Sequence, residues 1–323
     1  MTTTPLTAPL VDAFATGFLR TAIHRLPAGG YLWVRRPGAD RPTPLTGPTP
    51  GARAALDSLP PLSSPGVCLA LPTTESDALH YPAPGADSVA KLLWTDLTPV
   101  ATAHLAAALH GTGRLLRALH TAPGGTAETD RTGPGGPARL ASWMDSGTGP
   151  RGARQLHGVL RDRLGDARWK TVRAWCHALT ESSPGGGTLL HGAPSTGGLV
   201  PGPAGTDAAL FTDTVLFTGE DITRGPAGFD LGWLLGEFLE LRMTTAARAL
   251  HRPVLTDLPA ALLDGYGTGA DPGTTGRAAV LRIMTHAHDF AAYVGWHAEL
   301  DLYAATLPRY IDTEGHAALD GTA

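Results

Sequence analysis

Leu189-Leu190-His191-Gly192-Ala193-Pro194-Ser195-Thr196-Gly197-Gly198-Leu199-Val200 decides how this 323-residue chain is read. The segment is a loop of His, Gly, Pro and Ser that closes into a short apolar strand, Leu199-Val200. Gly192 suits an unusual backbone turn, because it has no Cβ to clash. About twenty residues on, the short strand Val215-Leu216-Phe217 ends at Thr218 and is followed by Glu220 and Asp221. The run Phe229-Asp230-Leu231-Gly232-Trp233-Leu234-Leu235 then opens a helix.

Working outward, residues 1 to about 97 carry short apolar runs between Pro/Gly turns. Tyr31–Arg36, Gly66–Leu71 and Ser88–Trp94 are expected as strands, and Gly51–Leu59 as a short helix. Pro27-Ala28-Gly29-Gly30 reads as a hairpin turn. From Thr98 the pattern changes to helical spacing. Thr98 is placed as the cap of a helix through Leu105, Leu109, Leu115, Leu116 and Leu119, ending near His120. The stretch Gly124–Pro137 is rich in Gly, Thr and Pro and is expected as an exposed, mobile loop. Helices are expected over 138–145, 151–181, 230–250 and 276–305, and a further strand over Ala209-Leu210-Phe211. The fold class is therefore α+β, with a small β-rich lobe over 1–97 and a larger, mainly helical lobe over 98–323.

Composition narrows the function. A net charge of −4 argues against a dedicated nucleic-acid protein, which would normally show a basic face, so no nucleic-acid partner is expected. Arg151, Arg154, Arg161, Arg163 and Arg168 are interrupted by Asp162 and Asp166 and read as a solvated helix face. No apolar run is long enough to span a bilayer, so no membrane association is expected. Met1–Thr7 has neither a basic region nor an apolar core, so no signal peptide is expected and the cytoplasm is the expected location. The two cysteines, Cys68 and Cys176, make neither a disulfide framework nor a zinc cluster, and both are expected to be buried and inert. No Walker loop or Gly-x-Ser-x-Gly elbow occurs.

The loop at His191-Gly192, its following strand and Phe229-Asp230-Leu231-Gly232-Trp233 resemble the aminoglycoside phosphotransferase family, relatives of choline kinase and of the protein kinases. The likeness covers about Thr98 to Leu307 and the first lobe only loosely. In that family the loop reads HGDxxxxN. Here Ala193 stands for the Asp that takes the substrate hydroxyl proton, and Gly198 for the Asn that holds magnesium. Thr218 falls where the family has its second metal carboxylate, and a neutral hydroxyl is a poor magnesium ligand. The family's phosphate-holding lysine has no counterpart, since no Lys or Glu precedes Glu75. Arg35 or Arg36 is the stand-in candidate, although arginine is not a neutral replacement for lysine.

The resemblance gives Asp230 a structural role, capping its helix and bracing the loop, with His191 and Gly192 kept for loop architecture. It also suggests that Asp289, Glu299 and Asp301 line the remnant of an acidic substrate cleft. His286 and His288 lie on different helix faces and make no metal pair. With base, both metal positions and lysine absent together, no catalytic residues, metal or cofactor are expected. The implied function is a pseudokinase: a non-catalytic binding or scaffolding subunit. A protein or peptide partner is expected, for example a biosynthetic enzyme or precursor peptide in bacterial ribosomal-peptide modification. The alternative is an ATP- and magnesium-dependent phosphotransferase acting on a hydroxylated small molecule or peptide, with Glu220 or Asp221 holding the metal and His191 as base. A third reading is a sensor that holds ATP without turning it over.

Overall fold

The computed structural model describes residues 8–41, 43–59, 63–64, 66–122, 133–181, 187–203 and 214–320. The expected strand at Ala209–Phe211 and most of the expected loop at 124–137 lie outside them.

In chain order the elements are β1 (Leu10–Ala15), β2 (Leu19–Arg25), β3 (Tyr31–Pro37), α1 (Pro50–Asp57), β4 (Ser63–Ser64), β5 (Val67–Ala70), β6 (Thr73–Glu75) and β7 (Ala78–Ala83). Then follow α2 (Val89–Leu92), α3 (Pro99–Thr121), α4 (Gly135–Ser146), α5 (Ala153–Thr180), β8 (Thr188–Leu190), β9 (Leu199–Pro201), β10 (Thr214–Phe217) and β11 (Thr223–Gly225). The chain closes with α6 (Gly228–Ala247), α7 (Val254–Tyr266), α8 (Pro272–Val294) and α9 (Glu299–Asp312).

An antiparallel sheet of order β1-β2-β3-β7-β6 forms the first lobe. A second sheet, β4-β5-β10-β9, joins the two halves of the chain, with β5 parallel to β10 and Cys68 opposite Val215. This sheet spans the boundary placed at 97/98 from sequence. The helices form the second lobe around one large core, which includes Leu109, Leu116, Phe229, Phe238 and Met284. A smaller core of Ile23, Trp33, Leu79, Tyr81 and Ala83 meets Val200 and Phe217, so the sheet face is sealed directly onto the β9–β10 hairpin.

Several expectations are corrected. Ser88–Trp94 is not a strand. Ser88 caps the short helix α2 by accepting from the Lys91 N–H at 3.4 Å, and Val89 and Leu93, four residues apart, are both buried. The single helix expected over 276–305 is two. Gly295 takes φ +99°, a left-handed value that ends α8 and lets the chain turn into α9. The Gly-rich stretch before residue 138 already begins α4 at Gly135. Cys68 is exposed, on β5, while Cys176 is buried and its thiol is pushed up to about 12 by burial. Helix α7 was not read from the sequence, because Pro259 and the short Leu run there lack clear start signals. Among the described residues no helix is long and apolar enough to cross a membrane.

Candidate functional site

The loop between β8 and β9 is held by α6. Asp230, in the first turn of that helix and fully buried, accepts from the His191 backbone N–H at 2.7 Å through Oδ2 and from the Gly192 N–H at 2.8 Å through Oδ1. His120 at the end of α3 makes a further contact to Oδ2 at 2.9 Å and is itself held by the Tyr266 hydroxyl at 2.9 Å. Asp230 is not the helix cap. The cap position is Ala227, and the carboxylate spends its lone pairs on the loop. Gly192 has φ +84°, and a Cβ there would lie 1.8 Å from the Asp221 carbonyl oxygen, so only glycine fits.

His191 is a bracing residue in this geometry. Its Nε2 meets the Phe217 carbonyl at 3.0 Å and its Nδ1 takes the Ala193 N–H at 3.4 Å. Both ring nitrogens are engaged, which fixes the neutral Nε2–H tautomer. Burial, opposed by Asp230, holds its pKa below the usual histidine value.

Around this loop lies a cavity of about 420 Å³ between the lobes. It is lined by Ala193, Ser195, Gly198, Thr218, Glu220 and Asp221 on the hairpin side. Position 193 therefore presents a methyl group to the cavity, and position 198 no side chain. Thr218 is buried and its Oγ1 donates to the Ala70 carbonyl at 2.8 Å. Glu220 is engaged by Arg41 and accepts from Thr46 Oγ1 at 3.0 Å. A magnesium ion wants several oxygen ligands, charged ones foremost. Positions 198 and 218 bring no carboxylate to the cavity; of the two candidate metal ligands, Glu220 is engaged by Arg41, and Asp221 lines the cavity beside it. Among the described residues no group of three His, Cys, Asp or Glu side chains is placed to hold a metal ion.

Strand alternation separates the two arginine candidates. Arg35 lines the cavity, with its guanidinium 4.7 Å from the Phe217 ring centroid and 5.7 Å from that of Tyr81, and Nη2 donating to the Gly197 carbonyl at 3.0 Å. Arg36 points to the other face and pairs with Asp77 at the surface. Of the three cleft acids, only Asp289 lines the cavity, where it meets Arg139 at 3.4 Å and His288 at 2.9 Å. Burial raises its pKa, but His288 and Arg139 outweigh this and the net shift is downward. Glu299 and Asp301 lie beyond the break at Gly295, outside the cavity, and Glu299 pairs with Arg248.

Other residues of the site were not read from sequence. Thr16, Gly17 and Phe18, in the β1–β2 turn, line it from the first lobe, whereas the Gly29-Gly30 hairpin turn does not. On the floor, Glu237 accepts from the Thr196 N–H at 2.8 Å and from Arg282 at 2.8 Å. Beside it His286 Nδ1 and the Tyr303 hydroxyl both bond the buried carboxylate of Glu240. The i, i+3 spacing of Glu237 and Glu240 on an otherwise apolar helix was the available signal.

No family model matches the chain, and no curated protein matches it in sequence. Solved structures do. An amicoumacin kinase, hAmiN, in complex with AMP-PNP, Ca²⁺ and Ami, superposes with a TM-score of 0.57 at 13% identity, covering 96% of this chain and 89% of the other. A choline/ethanolamine kinase family protein from Mesorhizobium loti gives 0.52 at 15% identity, covering 98% and 93%. The chain thus has the bilobal α+β fold of the small-molecule kinases, as its loop and its Phe229-Asp230-Leu231-Gly232-Trp233 run suggested.

Proposed function

We propose that this chain is a non-catalytic member of the kinase-like fold, which binds a ligand in its interlobe cavity without phosphoryl transfer. The observation that carries this reading is the methyl group of Ala193 at the cavity wall, below a loop whose bracing by Asp230 is intact. The frame is kept and the proton acceptor is missing. Loss of a general base alone costs about 10²–10⁴ in rate, and Thr218 and Gly198 remove metal ligands besides. In such a protein the cavity serves recognition, of a peptide or small molecule, or docking to a biosynthetic enzyme in a peptide-modifying complex.

A second reading, phosphotransfer to a hydroxylated small molecule or peptide, has two observations in its favour. Glu220 and Asp221 line the same cavity as His191, and the solved proteins of like fold are named as kinases, one of them with AMP-PNP bound. Thermal melting with ATP, with and without magnesium, together with an assay of ADP release, separates the two. A ligand at a hundred times its Kd stabilises by about 2.7 kcal/mol. The binding reading expects no ADP release in any condition. Magnesium-dependent ADP release that Glu220→Ala abolishes would sink it and establish the second.

A further inference from the structure

Asp40 and Arg41 are adjacent in the chain and opposite in charge, and they reach different parts of the second half of the chain. Asp40 accepts from Arg151 Nη1 at 2.7 Å, at the turn between α4 and α5. Arg41 engages Glu220, in the turn between β10 and β11, and its side chain is the more buried of the two arginines. The β1–β2 turn hangs on the same segment. The Gly38 N–H donates to the Phe18 carbonyl at 2.8 Å, and the Asp40 N–H donates to the Gly17 carbonyl at 2.9 Å. A Cβ on Gly38 would lie 2.2 Å from the Gly17 carbonyl oxygen, so the turn and the segment pack as one piece. This piece is also tight against the helices. A Cβ on Gly17 would lie 3.2 Å from the Tyr293 ring, and the Arg139 guanidinium stands 5.3 Å from the Phe18 ring centroid.

Arg151 carries a second mark. It takes φ +46°, a left-handed value that a residue with a side chain adopts only at a cost. From that position its Nη1 meets both Asp40 and the Ala292 carbonyl near the end of α8. Backbone strain of this kind gathers at clamps and switch regions, where the surrounding contacts hold it. Gly17, Phe18, Arg41, Arg139, Glu220 and Tyr293 all line the cavity, whereas Asp40 and Arg151 do not. We propose that Pro37–Arg41, with the β1–β2 turn attached, is a strap across the mouth of the interlobe cavity. An outer clasp, Asp40–Arg151, and an inner one, Arg41–Glu220, hold it shut, and a ligand enters when they release. An exposed ion pair is weak and is screened by salt, which suits the outer clasp to repeated opening. The packing of Trp33 and Tyr81 with Val200 and Phe217 keeps the lobes joined while the strap lifts.

The proposal adds control of access to the binding reading above and rests on it only in placing the ligand in this cavity. It is tested without a ligand, on the full chain with Cys68→Ser as background and Ala193→Cys as reporter on the cavity wall. The rate of reaction with a bulky, neutral maleimide is measured, and the background protein without the reporter supplies the blank for buried Cys176. At low ionic strength Asp40→Asn and Arg151→Met should each speed labelling about two- to fivefold, the worth of an exposed ion pair. The double variant should be no faster than either single one, because both break the same contact. Arg41→Met, at the inner clasp, should speed labelling at least as much. Raising the salt to about 1 M should speed the intact strap by a similar factor and leave Asp40→Asn nearly unchanged. Arg168→Met breaks the surface pair of Arg168 with Asp312, on α5 and α9, and should label like the parent. Far-UV circular dichroism verifies folding, and Ser195→Cys, which also lines the cavity, replaces the reporter if Ala193→Cys does not fold. Equal rates in the parent, Asp40→Asn and Arg151→Met overturn the proposal. So do additive gains in the double variant, or a salt effect as large in Asp40→Asn as in the parent. ADP release in the ATP assay would remove the non-catalytic reading while leaving these rates to stand or fall separately.

Discussion

Asp230 shows how much one side chain can organise. Replacing it by Asn removes an acceptor from a site where two backbone N–H groups and His120 converge, and a buried donor left unmade costs about 1–3 kcal/mol. Urea unfolding of Asp230→Asn should show a loss of that size. Gly192→Ala should be worse, because φ +84° and the Asp221 carbonyl both exclude a methyl group. The Glu240–His286 pair gives a pH signature. Burial opposes both charges, but each partner outweighs it, so the His286 pKa is raised and that of Glu240 lowered. The histidine's contribution is complete below its unfolded value, about 6.5, and is lost as pH rises through the higher folded value. The glutamate's contribution is complete above about 4.3 and lost as pH falls through its lower folded value. The stability difference between wild type and His286→Gln should therefore be larger at pH 6 than at pH 9, as read by urea midpoints. At this scale the loop was legible, since His191, Gly192 and Ala193 announce it by type and order. The Glu240–His286 contact was not, because residues 46 apart meet only through the packing of α6 on α8.

Helices read best where their ends carry chemistry. Thr98 accepts from the Ala101 N–H at 3.2 Å and starts α3, so Thr98→Ala should cost about 1 kcal/mol in a thermal or urea melt. Ser88 offers the same signal, yet the apolar run after it reads equally well as a strand, and a run of seven residues cannot be told apart by periodicity alone. Burial of both Val89 and Leu93 decides for the helix. Packing also explains Gly232 within the Phe229–Leu235 run. A Cβ there would lie 2.0 Å from the Thr275 carbonyl oxygen, so this glycine sets how closely α6 and α8 approach. The glycine's identity was visible in sequence, but its partner helix was not.

On the scale of the whole molecule, the two lobes share structure as well as a cleft. Trp33 is buried in the small core that seals the sheet onto the hairpin, and its Nε1 donates to the Gly85 carbonyl at 2.9 Å. Trp33→Ala should cost about 3–5 kcal/mol and still unfold in one transition, which denaturation followed by far-UV dichroism and tryptophan fluorescence would check. The bilobal α+β class was legible from the change of pattern at Thr98. The sheet that crosses that point was not, because β5 and β10 are short apolar runs with nothing local to pair them. Their pairing also bears on how the protein is made. Val67 finds Thr214 only 147 residues later, which at a synthesis rate of about 5–20 residues per second is a wait of roughly 7 to 30 s. Throughout that interval the nascent first lobe carries an open strand edge on the ribosome, the kind of edge that invites aggregation. Efficient production of this protein should therefore depend on chaperone capacity during translation more than on the stability of the finished fold.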